Sequence, residues 1–151
     1  MRLSEQECRA RFTQALVARL ATVAEDGSPR IVPITFAGPA GQHPLVVFFS
    51  AVDSKPKSTT ALARLARIGR EPRVSLLVDE YDADWSELWW VRGDALADVL
   101  TAGSERDSAI ALLREKYAQY RAEPPTGAVL RFVVQRWSGW SASEAGASSG
   151  T

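Results

Sequence analysis

The chain has 151 residues, 46% hydrophobic and 24% charged, proportions that suit one domain with a real core. Its eighteen acids balance eighteen bases, so it lacks the basic surplus expected of a general nucleic-acid or anionic-membrane binder. One cysteine (Cys8) and one histidine (His43) exclude an internal disulfide and leave no zinc set; with no apolar leader or spanning run, the expected location is cytoplasmic.

Ser4 to Ala18 is expected as a helix. Ser4 and Glu7 fit a capping box, and Cys8, Phe12, Ala15 and Leu16 form an apolar stripe. Arg19–Ala24 and Arg30–Phe36 read as strands on either side of Glu25-Asp26-Gly27-Ser28, and an Asp-Gly between two such runs signals a hairpin. Pro33 has no N–H for a ladder, which places the second strand at an edge or a bulge. Such an irregularity can leave backbone groups free to face a ligand. A Gly/Pro-rich loop from Gly38 to Pro44 leads to Leu45–Ser50, a short and almost wholly apolar strand.

The next stretch, Asp53 to Pro72, joins a basic loop to a helix. Ser58 is a good N-cap, and Ala61, Leu62, Leu65, Ala66 and Ile68 recur at helical spacing. Gly69 stands where a left-handed C-terminal residue is expected, and Pro72 stops the helix. Lys55 and Lys57, two of three lysines in the chain, precede the N-cap. Two ammonium groups beside free helix N–H groups suit an anion, although a solvated basic loop has the same composition.

Arg73–Tyr81 reads as a central strand, with apolar residues on both faces in its middle. An acidic turn from Asp82 to Trp85 leads to a long strand, Leu88–Leu100, bent at Gly93. Ser104–Tyr120 is a second amphipathic helix with Ile110, Leu113 and Tyr117 on one side, and Ala128–Trp137 is the last strand. Residues 1–140 form one expected domain, and 141–151 an Ala/Ser/Gly tail of disordered composition.

Helix, three strands, helix, two strands, helix, strand is not the alternation of a doubly wound parallel sheet. It implies a mainly β fold, a six-stranded antiparallel barrel with inserted helices. The sequence carries neither a dinucleotide fingerprint nor a phosphate-binding Gly-Lys-Ser/Thr loop. Three groups can carry chemistry. Lys55, Lys57 and Ser58 at the barrel rim form the candidate anion site, to which Ser50 and Thr59 can add hydroxyls. Tyr81, Trp85, Trp89 and Trp90 form an aromatic group; Trp89 and Trp90, adjacent in a strand, must face opposite ways, as core and as pocket or subunit contact. The carboxylates Asp79, Glu80, Asp82, Asp84 and Glu87 have no spacing that separates a general base from a solvated turn.

Leu20-Ala21-Thr22-Val23, Asp26-Gly27-Ser28-Pro29 and Pro33-Ile34-Thr35-Phe36 resemble the opening of the pyridoxamine-phosphate-oxidase-like split-barrel flavoproteins. Lys55-Pro56-Lys57-Ser58, then Leu65, then Glu71-Pro72-Arg73-Val74-Ser75-Leu76-Leu77-Val78 is similar to that superfamily's basic segment, helix and Pro-Arg-Val strand. Asp53–Thr60 with Trp85 and Leu88–Arg92 is most similar to actinobacterial members that use the deazaflavin coenzyme F-420. The resemblance implies a homodimer of split barrels that binds its cofactor, F-420 or alternatively FMN, in an interface groove and reduces or oxidises a small-molecule substrate. A non-catalytic cofactor carrier is the reading from another class. By the same resemblance Lys55, Lys57, Ser58 and Thr59 would hold the cofactor phosphate, approached by Ser50. Pro33, Ile34 and Thr35 would line the ring, partly through backbone groups, and Trp85 to Trp90 would close the pocket from the other subunit. No nucleic acid or membrane is implied as a partner, and no catalytic side chain is identified.

Overall fold

A computed structural model describes residues 1–41, 45–52 and 59–143. Six strands form one antiparallel sheet in the order β2-β1-β4-β5-β6-β3, with β1 Ala18–Val23, β2 Pro29–Ile34, β3 Val46–Ala51, β4 Arg73–Glu80, β5 Trp89–Leu100 and β6 Val129–Ser141. Four helices are inserted: α1 Glu5–Gln14, α2 Thr59–Arg70, α3 Ser104–Lys116 and α4 Ala118–Ala122. The two edge strands approach one another. Just beyond β2, the Ala37 and Phe49 backbones exchange N–H···O bonds of 2.8 and 2.9 Å, so the sheet curls into a split barrel. The fold is the mainly β split barrel that the order of elements implied.

Local chemistry explains most element ends. Ser4 caps α1 by accepting from the Glu7 N–H, while Glu7 accepts from the Ser4 N–H, completing the expected box. The first hairpin turns through Glu25-Asp26-Gly27; Gly27 takes φ +86, a left-handed geometry that glycine adopts without steric cost. Pro33 lies in an edge strand, one of the two placements its missing N–H allowed.

Inside the barrel, Phe12 of α1 sits 4.8 Å from the Phe36 and Phe48 rings and 5.3 Å from Trp137. Leu20, Leu76, Val91, Leu130 and Phe132 complete this core, each 0–1% exposed. Gly139 lets α1 come close, because a Cβ there would stand 2.6 Å from the Cys8 sulfur. Cys8 and Phe12 are buried as the apolar stripe implied.

Several boundaries differ from the sequence expectation. The first helix stops at Gln14, with Ala15 already extended at ψ 147, so Leu16 leaves the stripe and is 62% exposed. Gly69 is not a left-handed cap: α2 continues to Arg70, closed by the Glu71 N–H on the Arg67 carbonyl, before Pro72 ends it. The helix expected to reach Tyr120 breaks at Tyr117, whose φ −120 and ψ 123 are extended. The last strand runs past Trp137 to Ser141, held on one side by Trp89–Gly93 and on the other by Met1–Leu3. At Gly93 the strand is continuous; the irregularity falls one residue later, where Gln135 is an extra residue opposite the Asp94/Ala95 step.

Candidate functional site

A cleft of about 450 Å³ opens where the two edge strands end. Pro33, Ile34 and Thr35 reach it from β2, and Ser50, Ala51 and Val52 from β3. Arg64 of α2 forms one side, and Gln119, Tyr120, Glu123 and Pro125 at and after α4 form the other. Four residues expected at the site from the sequence thus share one cavity: Pro33, Ile34, Thr35 and Ser50. Ile34 is 5% exposed and belongs to the core cluster as well as to the cleft lining. Ser50 is 1% exposed, a buried hydroxyl at the cleft end of an apolar strand. Thr59 opens α2, while Lys55, Lys57 and Ser58 lie outside the described residues.

The α3–α4 side is tied down by hydrogen bonds that the sequence did not reveal. Tyr120 Oη lies 2.8 Å from Thr35 Oγ1. The Tyr117 hydroxyl accepts from the buried Phe36 N–H at 3.1 Å and lies 2.9 Å from both the Leu16 and Phe36 carbonyl oxygens, to either of which it can donate. Lys116 Nζ donates to the carbonyls of Ala15 at 2.7 Å, Phe36 at 2.9 Å and Thr13 at 3.3 Å, and stands 3.9 Å from the centre of the Phe36 ring. Burial lowers the Lys116 pKa to about 8. Burial also raises that of Tyr117, against the lowering effect of its bond to the Phe36 backbone. Two consecutive residues beside the cleft, Thr35 and Phe36, are therefore held by three side chains from the α3–α4 junction.

Opposite them, Arg64 is not tied down. Its Nε is buried without a hydrogen-bond partner among the described residues. Burial first, and then the charge of Arg67, lower its pKa from the ordinary arginine value. Arg67 itself donates to Thr22 Oγ1 at 2.9 Å. Sequence reading missed Arg64. It stands three residues after Ala61 and four before Ile68, and that spacing cannot tell a core-edge arginine from a surface one.

The tryptophans divide as alternation required. Trp89 packs against the core cluster, with its Nε1 donating to Glu80 Oε2 at 3.0 Å and Arg11 above its ring. Trp90 faces the outside of the sheet and borders a hollow of about 710 Å³ with Ile31, Leu77 and Tyr81. Trp85, in a one-turn helix capped by Asp84, is 77% exposed. Among the described residues no helix is long and apolar enough to cross a membrane.

The chain matches the pyridoxamine 5'-phosphate oxidase family over residues 4–141 and belongs to that family. Among solved structures, a conserved hypothetical protein of Mycobacterium tuberculosis is similar with a TM-score of 0.71 at 18% identity, over 97% of this chain and 94% of that one. A FAD-binding protein of Mesorhizobium loti is 25% identical with a TM-score of 0.65, over 92% and 95% of the two chains. A haem storage protein of Vibrio cholerae, HutZ, is 20% identical with a TM-score of 0.61, over 91% and 94%. Among curated proteins none matches.

Proposed function

We propose that this chain is an oxidoreductase that binds a phosphate-bearing tricyclic cofactor in the cleft between its edge strands. Coenzyme F-420 is the cofactor we favour, on the similarity of the Asp53–Thr60 and Leu88–Arg92 segments, with FMN as the alternative. The observation that carries the reading is the meeting of Pro33, Ile34 and Thr35 with the buried Ser50 on one cavity. These residues come from opposite edges of the sheet and are brought together only by its closure. Family membership and the likeness to a FAD-binding protein support it.

The residues present fit such a group. An edge strand leaves half of its amides and carbonyls without strand partners, able to meet the polar rim of a flat ring. The Ser50 hydroxyl and the Arg64 guanidinium suit an oxyanion. Lys55, Lys57, Ser58 and Thr59, which match the family's basic segment, complete the phosphate site in this proposal. When bound, the cofactor supplies hydride transfer to or from a small organic substrate. The chain binds and orients, with the Thr35–Tyr120 pair fixing the wall against which the ring is held.

The haem-storage relative suggests a second reading, a tetrapyrrole carrier. Tyr120 is the cleft side chain of a type that can ligate haem iron, its hydroxyl is paired with Thr35 Oγ1, and the single histidine, His43, lies outside the described residues. We take the chain to act as a homodimer. Supporting this, the outer sheet face presents Ile31, 66% exposed, beside Leu77, Trp90 and Tyr81, an apolar group of the kind that subunits cover.

Titration with F-420 and FMN side by side, read by fluorescence quenching, tests the proposal. F-420 is expected to bind more tightly, and the double variant Lys55→Ala/Lys57→Ala to bind at least about tenfold more weakly with an unchanged fold. Unchanged affinity in the double variant would overturn the phosphate assignment, and failure of both cofactors to bind would overturn the cofactor reading.

A further inference from the structure

Two hydroxyls on the cleft wall, Thr35 Oγ1 and Tyr120 Oη, stand 2.8 Å apart, and neither bonds any other group among the described residues. Each hydroxyl has one proton to donate, so the pair holds two protons and makes one mutual bond. One O–H is therefore left without an acceptor among the described residues. Tyr117, three residues earlier, shows the contrast: its proton goes to the Leu16 or Phe36 carbonyl, and its oxygen accepts from the Phe36 N–H. Thr35 and Tyr120 both border the cleft of about 450 Å³, so the spare O–H has the cleft as its outlet.

The pair is also held in place. Phe36, next to Thr35, is bonded by Lys116 and Tyr117, so the fold and not the ligand sets where the hydroxyls stand. A phenol gives up its proton more readily than an aliphatic hydroxyl. With Thr35 donating to Tyr120, the more acidic proton faces the cleft, and the Thr35 bond steadies the oxygen once that proton leaves.

We propose that Tyr120 Oη donates this proton to the carbonyl oxygen of the substrate, and that the substrate is a conjugated carbonyl compound. The inference rests on the oxidoreductase reading, because a molecule that accepts hydride at carbon must also gain a proton. In an enone, the hydride supplied by the reduced cofactor forms a C–H bond at the β-carbon, and the C=C pair moves toward the oxygen. The Tyr120 O–H bond breaks, its proton completes the enol, and the tyrosinate takes a proton from water. Tyr120 is the catalytic residue in this step, and Thr35 is its positioning residue.

The test uses 2-cyclohexenone labelled with carbon-13 at its carbonyl, titrated into the full chain alone and with oxidised F-420 or FMN added. Its carbonyl NMR signal is compared in wild type, Tyr120→Phe and Thr35→Val, with far-UV circular dichroism as the check on folding. Wild type is expected to move the signal downfield in a saturable way, as a hydrogen bond to the carbonyl requires. Tyr120→Phe should lose that shift, and Thr35→Val should keep it. Enone reduction with the reduced cofactor should fall in kcat by about a hundredfold in Tyr120→Phe, and by less in Thr35→Val. No shift in wild type, a shift that survives Tyr120→Phe, or one lost only in Thr35→Val overturns the proposal. Unchanged kcat in a folded Tyr120→Phe protein overturns the proton transfer and leaves the oxidoreductase reading intact. A Tyr120-dependent shift in a protein that binds neither cofactor supports the carbonyl contact and sinks the oxidoreductase reading. Should Tyr120→Phe not fold, wild type decides: nuclear Overhauser contacts between bound enone and the Tyr120 ring are expected, and their absence overturns the proposal.

Discussion

The two sides of the cleft handle their polar groups in opposite ways. On the α3–α4 side, Lys116, Tyr117 and Tyr120 reach across as many as 101 positions of sequence to bond Ala15, Leu16, Thr35 and Phe36. On the α2 side, Arg64 keeps a buried Nε without a partner among the described residues. The first side fixes shape, because its donors and acceptors are matched within the fold, the spare O–H of the Thr35–Tyr120 pair excepted. On the second, a guanidinium has no matched acceptor among the described residues.

That contrast can be broken by stability measurements. Tyr117→Phe should have the largest effect. It strips the buried Phe36 N–H of its acceptor and should cost about 1–3 kcal/mol, read from urea unfolding. Lys116 comes next, through pH. Its folded-state pKa of about 8 is below the ordinary value of 10.5, so between those values the unfolded chain holds more protons. This contribution therefore makes the wild type gain stability as pH rises from about 8 to 10.5, and Lys116→Met should lack that gain. Equal slopes for the two proteins would show that Lys116 is not held as described. Tyr120→Phe, which breaks a partly buried hydroxyl pair, should cost about 0.5–1.5 kcal/mol. Arg64→Met should change stability least, by no more than about 0.5 kcal/mol, or raise it. If Arg64→Met proves as destabilising as Tyr117→Phe, the two sides do not differ in kind.

Much of the fold was legible because its causes are local. The Ser4–Glu7 box, the Asp-Gly hairpin and the edge placement implied by Pro33 each depend on residues within a few positions of one another. Where a distant contact decides, the sequence misled. Leu16 continues a helical stripe on paper, but the chain turns extended at Ala15 to enter β1, and Lys116 holds that turn from a distant helix. Tyr117 looks like one more apolar position of α3. Its hydroxyl instead bonds Phe36 and Leu16, and the helix breaks there. Of the residues that the family resemblance put at a candidate site, Pro33, Ile34, Thr35 and Ser50 line one cleft. Arg64, Tyr120 and Glu123 were invisible, because facing a cavity is a property of packing and not of spacing.

The central claim is that the cleft between the edge strands takes the cofactor. Backbone amide NMR during titration with F-420, repeated with FMN, tests it most directly. The account predicts that the largest shifts fall on Thr35, Ser50, Arg64 and Tyr120, with little change at Leu96 and Gln135 on the outer face. Shifts confined to the outer face around Ile31, Leu77 and Trp90, with the cleft residues unmoved, would contradict it.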